Sequence, residues 1–133
     1  MRTLRAGFFV HGLITLAGAI VLAAFPTAIP SAVGITITRP DYLVVYLVAA
    51  AELAVAVLSF GAIRITDWAA LSLIVTTLVV LHFASGTLDI VYMALTEPNA
   101  TMISNTVLRF AVVAVLIVVW WAARRHQTPG TNR

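Results

Sequence analysis

The sequence predicts an all-α integral membrane protein, a bundle of four helices that each cross the bilayer. Hydrophobic residues make up 62% of the 133-residue chain and charged residues only 10%, whereas a soluble domain has about 25% charged residues. So few charges do not cover the surface of a small soluble protein, which has a high ratio of surface to volume. Four segments are apolar over the roughly 20 residues that a helix needs to cross a bilayer.

The four predicted spans cover residues 6–25, 41–63, 68–95 and 104–123 of a single domain. Pro26 ends the first span, and Asp41 and Asp67 are candidate N-caps of the second and third. The loop between the second and third spans has only about four residues, so these two helices are expected to form a tight antiparallel hairpin. Residues 126–133 follow the last span and are predicted to be a disordered tail.

The arginines predict how the bundle is oriented in the membrane. With the N-terminus in the cytoplasm, the inner side carries six arginines and the outer side carries one. The six are Arg2, Arg5, Arg64, Arg124, Arg125 and Arg133, and the one is Arg39. Cytoplasmic loops are rich in arginine and lysine, so both termini are expected to be cytoplasmic. A chain without lysine and rich in alanine and valine fits a bacterial inner (plasma) membrane. Because these bases lie at helix ends rather than on one face, they do not predict a nucleic-acid partner.

Polar residues inside the predicted spans are the candidate functional positions. An ionisable side chain at the bilayer centre costs at least about 2.5–3.5 kcal/mol on insertion scales, so it calls for an explanation. In the third span His82, Ser85, Gly86 and Asp89 follow one another at offsets of three, four and seven residues from His82. These offsets place all four on one helix face, which is expected to point into the bundle.

Depth along the spans predicts two pairings. Glu52 lies halfway along the second span and His82 near the middle of the third, while Asp89 and Arg109 both lie in the outer third of their spans. We therefore expect Glu52 to meet His82, and Asp89 to meet Arg109. The candidate catalytic residues are Glu52 and His82, and the candidate ligand-binding residues are Ser85, Asp89, Arg109 and His11. The structural alternative is an ion pair or a hydrogen bond that only joins two helices.

His11 and Gly12 lie in the inner part of the first span. From the rise per residue, His11 is expected on the order of 10 Å shallower than His82. Two histidines at such different depths do not serve as opposite axial ligands of one haem, so haem is not expected. The chain has no cysteine, which excludes thiolate metal sites, and no metal site is predicted.

Short motifs in the first three spans point to a family. The first span contains Gly7-Phe-Phe-Val-His-Gly12, the second has Glu52 and Gly61 before Arg64, and the third contains His82-Phe-Ala-Ser-Gly86. This order resembles the DoxX-like group of small four-helix bacterial membrane proteins, over roughly residues 4–90. The fourth span departs from the group's polar signature and offers Asn105 and Arg109 instead.

The resemblance implies a four-helix bundle that associates with membrane oxidoreductase complexes, including a subunit role in sulfur-compound oxidation coupled to quinone. Glu52 and His82 match the group's polar residues. The expected function is therefore an accessory subunit of a membrane oxidoreductase or other membrane complex, in contact with a quinone or a lipid. Its partners would be the lipid bilayer and either another subunit or a second copy of the chain.

Two other functions remain open. A small membrane enzyme of the isomerase type would use Glu52 and His82 as acid and base on an apolar substrate, in a dry pocket between helices. A proton-coupled exporter of small molecules would work as an oligomer, with Glu52 as the proton site in a shared cavity.

Overall fold

The computed structural model describes residues 1–125, which are almost entirely helical. In chain order the helices are α1 (Arg2–Ala24), α2 (Ala28–Ala32), α3 (Tyr42–Ala62), α4 (Trp68–Leu95) and α5 (Ala100–Arg125), with a 3₁₀ turn at Arg39–Asp41. Four of them, all but α2, are long and apolar enough to cross a membrane. The predicted all-α fold with four spans is thereby confirmed. The predicted disordered tail, residues 126–133, lies outside the described residues.

Of the two predicted N-caps, one forms and one does not. The carboxylate of Asp67 accepts a hydrogen bond from the backbone N–H of Ala70 at 2.7 Å, and α4 begins at Trp68 as predicted. Asp41 instead accepts hydrogen bonds from the backbone N–H and the hydroxyl of Thr38, at 2.7 and 2.8 Å. Asp41 thus stands at the predicted N-cap position of α3, but its carboxylate closes the preceding 3₁₀ turn and makes no side-chain cap.

Two helices extend beyond their predicted spans. α1 begins at Arg2 rather than at residue 6, and α5 begins at Ala100 rather than at residue 104. At the start of α5 the side-chain oxygen of Asn99 accepts a hydrogen bond from the backbone N–H of Met102 at 2.8 Å. Hydropathy marks where the apolar run ends, whereas capping decides where the backbone leaves the helix.

The helices are arranged around the bundle in the order α3, α1, α5, α4. α1 packs along α3 and α4 packs along α5, while α3 and α4 touch at only a few positions. The predicted tight hairpin of α3 and α4 is therefore wrong. Their short loop holds two helix ends together, but Leu4 and Phe8 of α1 are buried in one cluster with Ala62 of α3 and Leu78 of α4. Side chains of α1 thus fill the space that a close α3–α4 hairpin would occupy.

Aromatic and arginine side chains gather at the end of the bundle where α1 begins and α5 ends. Trp68 stacks on Trp120 with ring centroids 6.0 Å apart, and the indole N–H of Trp120 donates to Ser72 Oγ at 3.1 Å. The guanidinium of Arg125 lies 3.3 Å from the ring centroid of Trp121. Such residues are typical of a membrane–water interface, and large exposed apolar side chains cover the helices between the two ends.

Gly12 allows α1 to approach α3 closely. A Cβ atom added at Gly12 would lie 2.9 Å from the ring of Phe60, closer than non-bonded carbon atoms pack. Gly18, further along α1, has nothing within 4 Å of such an atom. The two glycines therefore form a matched pair for testing this packing.

We expect Gly12→Leu to lower the free energy of unfolding by about 1–3 kcal/mol, because the added side chain overpacks the α1–α3 contact. Gly18→Leu should stay within about 0.5 kcal/mol of the unsubstituted protein, as for an open surface position. Denaturant unfolding in one detergent would measure both. Equal stability of the two variants would show that α1 and α3 do not pack as described.

Candidate functional site: a histidine pair beside an arginine–carboxylate cluster

Two histidines from different helices meet inside the bundle. Nε2 of His11 on α1 lies 2.8 Å from Nε2 of His82 on α4, and the rings are nearly perpendicular at 85°. His11 is buried, with 7% of its surface exposed, and His82 is half-buried. The expected difference in depth between them is wrong. The depth of each histidine was counted from the start of its predicted span, as if all helices began at one level. α1 begins four residues earlier than predicted, at residue 2 instead of residue 6.

A serine on a third helix fixes the direction of this hydrogen-bond chain. Nδ1 of His11 lies 2.9 Å from the hydroxyl of Ser59, and that hydroxyl donates to the backbone carbonyl of Val55 at 2.8 Å. Because Ser59 has one hydrogen and gives it to Val55, Nδ1 of His11 is the donor to Ser59. In neutral imidazole the other nitrogen is then an acceptor, so Nε2 of His82 donates to Nε2 of His11.

This direction leaves Nδ1 of His82 as a bare acceptor. It is buried, and no described residue makes a hydrogen bond to it. A buried acceptor without a partner costs roughly 1–3 kcal/mol. Such a group in a native structure calls for an explanation, for example a bound molecule or an ordered water. Nδ1 of His82 is therefore the atom at which the protein can accept a hydrogen bond from a bound molecule.

Glu52 does not form the predicted pair with His82, which meets His11 instead. Glu52 lies on α3 two helical turns from Ser59 and is half-buried. Its carboxyl group makes no side-chain hydrogen bond to any residue within 1–125, and Arg109 is the charge that acts on it. The same guanidinium acts electrostatically on His82. Arg109 therefore influences both predicted catalytic residues electrostatically.

The predicted pairing of Asp89 with Arg109 is confirmed. Arg109 Nε on α5 lies 3.0 Å from Asp89 Oδ2 on α4, and both side chains are largely shielded, at 28% and 22% exposed. The contact is an ion pair without hydrogen-bond alignment at Nε. The amide of Asn105 donates to the same carboxylate oxygen at 3.5 Å. The hydroxyl of Thr106 lies 3.4 Å from that oxygen, but its single hydrogen goes to the backbone carbonyl of Met102 at 3.0 Å. Asp89 is thus held by two groups of α5, with Thr106 beside them.

The predicted polar face of α4 also points inward. Gly86 is buried, and His82, Ser85 and Asp89 are half-buried, while Phe83 and Thr87 on the other side are exposed. Gly86 gives room to α5, since a Cβ there would lie 3.0 Å from the ring of Phe110. Ser85 stands between the two clusters and makes no side-chain hydrogen bond within the described part of the chain. Its hydroxyl is available to a molecule in the interior.

The charges of this region nearly balance. Arg109 is paired with Asp89 and acts electrostatically on Glu52. Since an uncompensated charge in a membrane interior is costly, the three charges are balanced when one of the two carboxyl groups carries a proton. No three side chains of the metal-binding types lie together among residues 1–125. The arrangement can therefore hold and move protons and can donate or accept hydrogen bonds.

Sequence reasoning did not assign Ser59 and Thr106 to the site. Ser59 follows Glu52 by seven residues, so both lie on one face of α3, and that spacing was the available signal. Thr106 precedes Arg109 by three residues on α5, which also places them on one side. Both were hidden because serine and threonine in membrane helices commonly bond to their own backbone, as each also does here.

We expect the two histidines to be opposite tautomers. Imidazole ¹⁵N NMR in a His126→Gln background, where only these two histidines contribute, should show His11 protonated at Nδ1 and His82 at Nε2. Ser59→Ala removes the acceptor of His11 and should mix the His11 tautomers. His11 found protonated at Nε2 in the unsubstituted chain would reverse the assigned direction and give His82 no bare Nδ1.

The ion pair should show strong coupling between its partners. Asp89→Leu is expected to cost about 3 kcal/mol of unfolding free energy, because it leaves a cation in the interior with fewer partners. Adding Arg109→Met to that variant should recover most of the loss, because the charge that lacked a partner is gone. A double-mutant cycle by denaturant unfolding measures the coupling. Simple addition of two losses would mean that the pair is not coupled.

Comparison with known proteins adds no relative to this description. The chain matches no family model, and no match was found among curated proteins or solved structures. The resemblance to the DoxX-like group thus stays a prediction from short motifs, and function is argued from the geometry of the polar interior.

Proposed function

We propose that the protein is a small subunit of a membrane oxidoreductase complex and that its interior binds a lipid-soluble molecule of the quinone class. The observation that carries the proposal is the buried, unpartnered Nδ1 of His82, on a ring on which the charge of Arg109 acts. A quinone in its reduced form has hydroxyl groups that donate hydrogen bonds, and in its oxidised form it has carbonyl groups that accept them. The site offers an acceptor at His82 and donors at Arg109 and Ser85, so the residues fit such a molecule.

The hydrogen bonds that join His82, His11 and Ser59 support a role in accepting and holding a proton. When bound, a quinone supplies two-electron redox chemistry with proton uptake or release at its oxygens. Nδ1 of His82 takes a proton from a donor, and the proton on Nε2 can move to Nε2 of His11, because these atoms are 2.8 Å apart. Beyond His11 the series of hydrogen bonds ends at the carbonyl of Val55, which does not pass a proton on. The two histidines therefore share a proton between their rings and do not conduct it through the membrane.

Glu52 and Arg109 have a complementary role in this proposal. Glu52 makes no hydrogen bond to a described residue, so its carboxyl group is available to exchange a proton with the bound molecule. Arg109, already paired with Asp89, stabilises negative charge that develops there. One positive charge against two carboxyl groups is balanced when one of them carries a proton, and gain or loss of that proton at Glu52 would accompany the redox step.

The composition supports a partner subunit. The chain has no cysteine, so thiolate-bound electron carriers would come from another protein. The longest segment between two spans runs from residue 25 to residue 38 and is partly taken up by α2, which leaves no room for a soluble catalytic domain. The arginine distribution supports an orientation with both termini in the cytoplasm of a bacterial inner membrane, since Arg2, Arg5, Arg64 and Arg124 would share that side.

We expect native mass spectrometry of the protein, extracted gently from its own membrane, to show a second protein at fixed stoichiometry.

Decylubiquinone should bind the purified complex. Glu52→Gln or His82→Phe should weaken that binding at least about tenfold, because each substitution removes a buried hydrogen bond to a charged or polar partner. Glu97→Gln is the matched control, because Glu97 lies in the exposed loop between α4 and α5. Unchanged binding in both interior variants would rule out this site.

A second function is favoured by one specific observation. Glu52 and His82 Nδ1 both lack hydrogen-bond partners within residues 1–125, and Arg109 acts electrostatically on both side chains. Two unpaired groups of this kind suit the general acid and the general base of an isomerase-type enzyme. The same mass spectrum separates the two functions. A lone chain or homo-oligomer that carries a small bound mass would favour the enzyme, and that mass would give its substrate class.

A further inference from the structure

A groove runs along the lipid-facing side of the bundle between α1 and α5. Its volume is about 440 Å³, and its lining is almost wholly apolar. On α1 it extends from Thr3 to Ile14, and on α5 from Leu108 to Val119. Gly7 lies in its floor, where the missing side chain leaves open space, since an added Cβ would meet nothing within 4 Å. The groove is thus a formed depression between two spanning helices rather than a gap between flexible side chains.

The length of the groove matches one leaflet of a bilayer. Each wall spans twelve residues, 3–14 on α1 and 108–119 on α5, whose eleven helical steps correspond to about 16 Å. The hydrocarbon core of a bilayer is about 30 Å thick, so one leaflet is about half of that. A single hydrocarbon chain that enters from one interface therefore fits the groove from end to end.

The mouth of the groove is positively charged. Arg2 and Arg5 lie in the first turn of α1, next to Thr3, and Arg124 lies in the last turn of α5; all three are exposed. Neither helix contains an aspartate or a glutamate, so no carboxylate on α1 or α5 offsets these charges. Trp120, beside Arg124, is a residue type that favours the headgroup level of a membrane. An apolar groove one leaflet long with a cationic mouth is complementary to an anionic phospholipid.

We propose that this groove binds one anionic phospholipid, with an acyl chain between α1 and α5 and its phosphate among the arginines at the mouth. This goes beyond the proposed quinone site, which uses Nδ1 of His82. His11 connects the two regions, because its ring forms part of the groove wall while both of its nitrogens are engaged in the histidine chain. A bound lipid would therefore pack against the ring that holds the proton-sharing pair in place.

The test is lipid binding to the purified full-length protein in detergent, followed by native mass spectrometry. The probes are phosphatidylglycerol and phosphatidylcholine with identical acyl chains. We expect one phosphatidylglycerol per chain to bind at least about fivefold more tightly than phosphatidylcholine, and removal of each arginine by Arg2→Gln or Arg5→Gln to weaken it about fivefold, as for one basic residue at an anionic membrane surface.

Two matched pairs of variants localise the lipid. Gly7→Leu fills the groove and should reduce phosphatidylglycerol binding to the level of phosphatidylcholine, whereas Gly18→Leu, at a second open glycine of α1 outside the groove, should not. Ala111→Leu and Ala114→Leu repeat the comparison on α5, where both alanines are exposed and only Ala111 lines the groove. The second pair decides the result if a substitution at Gly7 prevents folding.

Three results would overturn the proposal. Equal binding of the two lipids would show that the arginines do not select a phosphate, and unchanged binding in both groove-filling variants would place the lipid elsewhere. Displacement of phosphatidylglycerol by decylubiquinone, one for one, would assign the groove to the alkyl tail of a neutral quinone. Loss of quinone binding in Glu52→Gln with phosphatidylglycerol binding intact would separate this site from the proposed functional site.

Discussion

The hydrogen-bond chain from His82 through His11 to Ser59 is the interaction on which the arrangement of this bundle depends. It joins α4, α1 and α3 at one place in an otherwise apolar interior. In a bilayer the hydrophobic effect does not draw helices together, because lipid tails are as apolar as the helices themselves. Close packing and interhelical polar contacts must therefore specify which faces meet. Gly12 next to His11 contributes to this, since it brings α1 close enough to Phe60 of α3 for the chain to form.

The remaining helix is held by a different kind of contact. α5 is joined to α4 by the ion pair of Arg109 with Asp89, with a further hydrogen bond from Asn105 to the same carboxylate. The histidine chain and the ion cluster share α4 as their common element, so the inward face of α4 organises both. At the end where α1 begins the interior is apolar, with Leu4, Phe8 and Leu78 fully or almost fully buried. The polar contacts that specify the packing and the apolar core thus lie at different levels along the bundle.

Hydropathy and charge were sufficient to predict the four spans and the pairing of Asp89 with Arg109, because depth and opposite charge both act along the membrane normal. The inward face of α4 also followed from spacing alone. The order of helices around the bundle did not follow, because hydropathy carries no information about rotation around the normal. For that reason the expected α3–α4 hairpin and the Glu52–His82 pair were wrong. The His11–His82 contact was missed because depth was counted from the predicted helix starts, whereas α1 begins at Arg2 and not at residue 6.

The unpartnered Nδ1 of His82 connects this architecture to a function. A phenylalanine at that position would fill similar space without leaving a buried acceptor, yet it would remove the link between α4 and α1. The histidine therefore supplies the structural hydrogen bond with one nitrogen and exposes the other to the interior. Since the direction of the hydrogen bonds is set by the single hydrogen of Ser59, which goes to Val55, Nδ1 of His82 is the nitrogen left without a partner among residues 1–125. Arg109 acts electrostatically on the same ring. A structural contact on three helices thus leaves one buried proton acceptor unpaired, and this is the reason to regard the interior as a binding site rather than as packing alone.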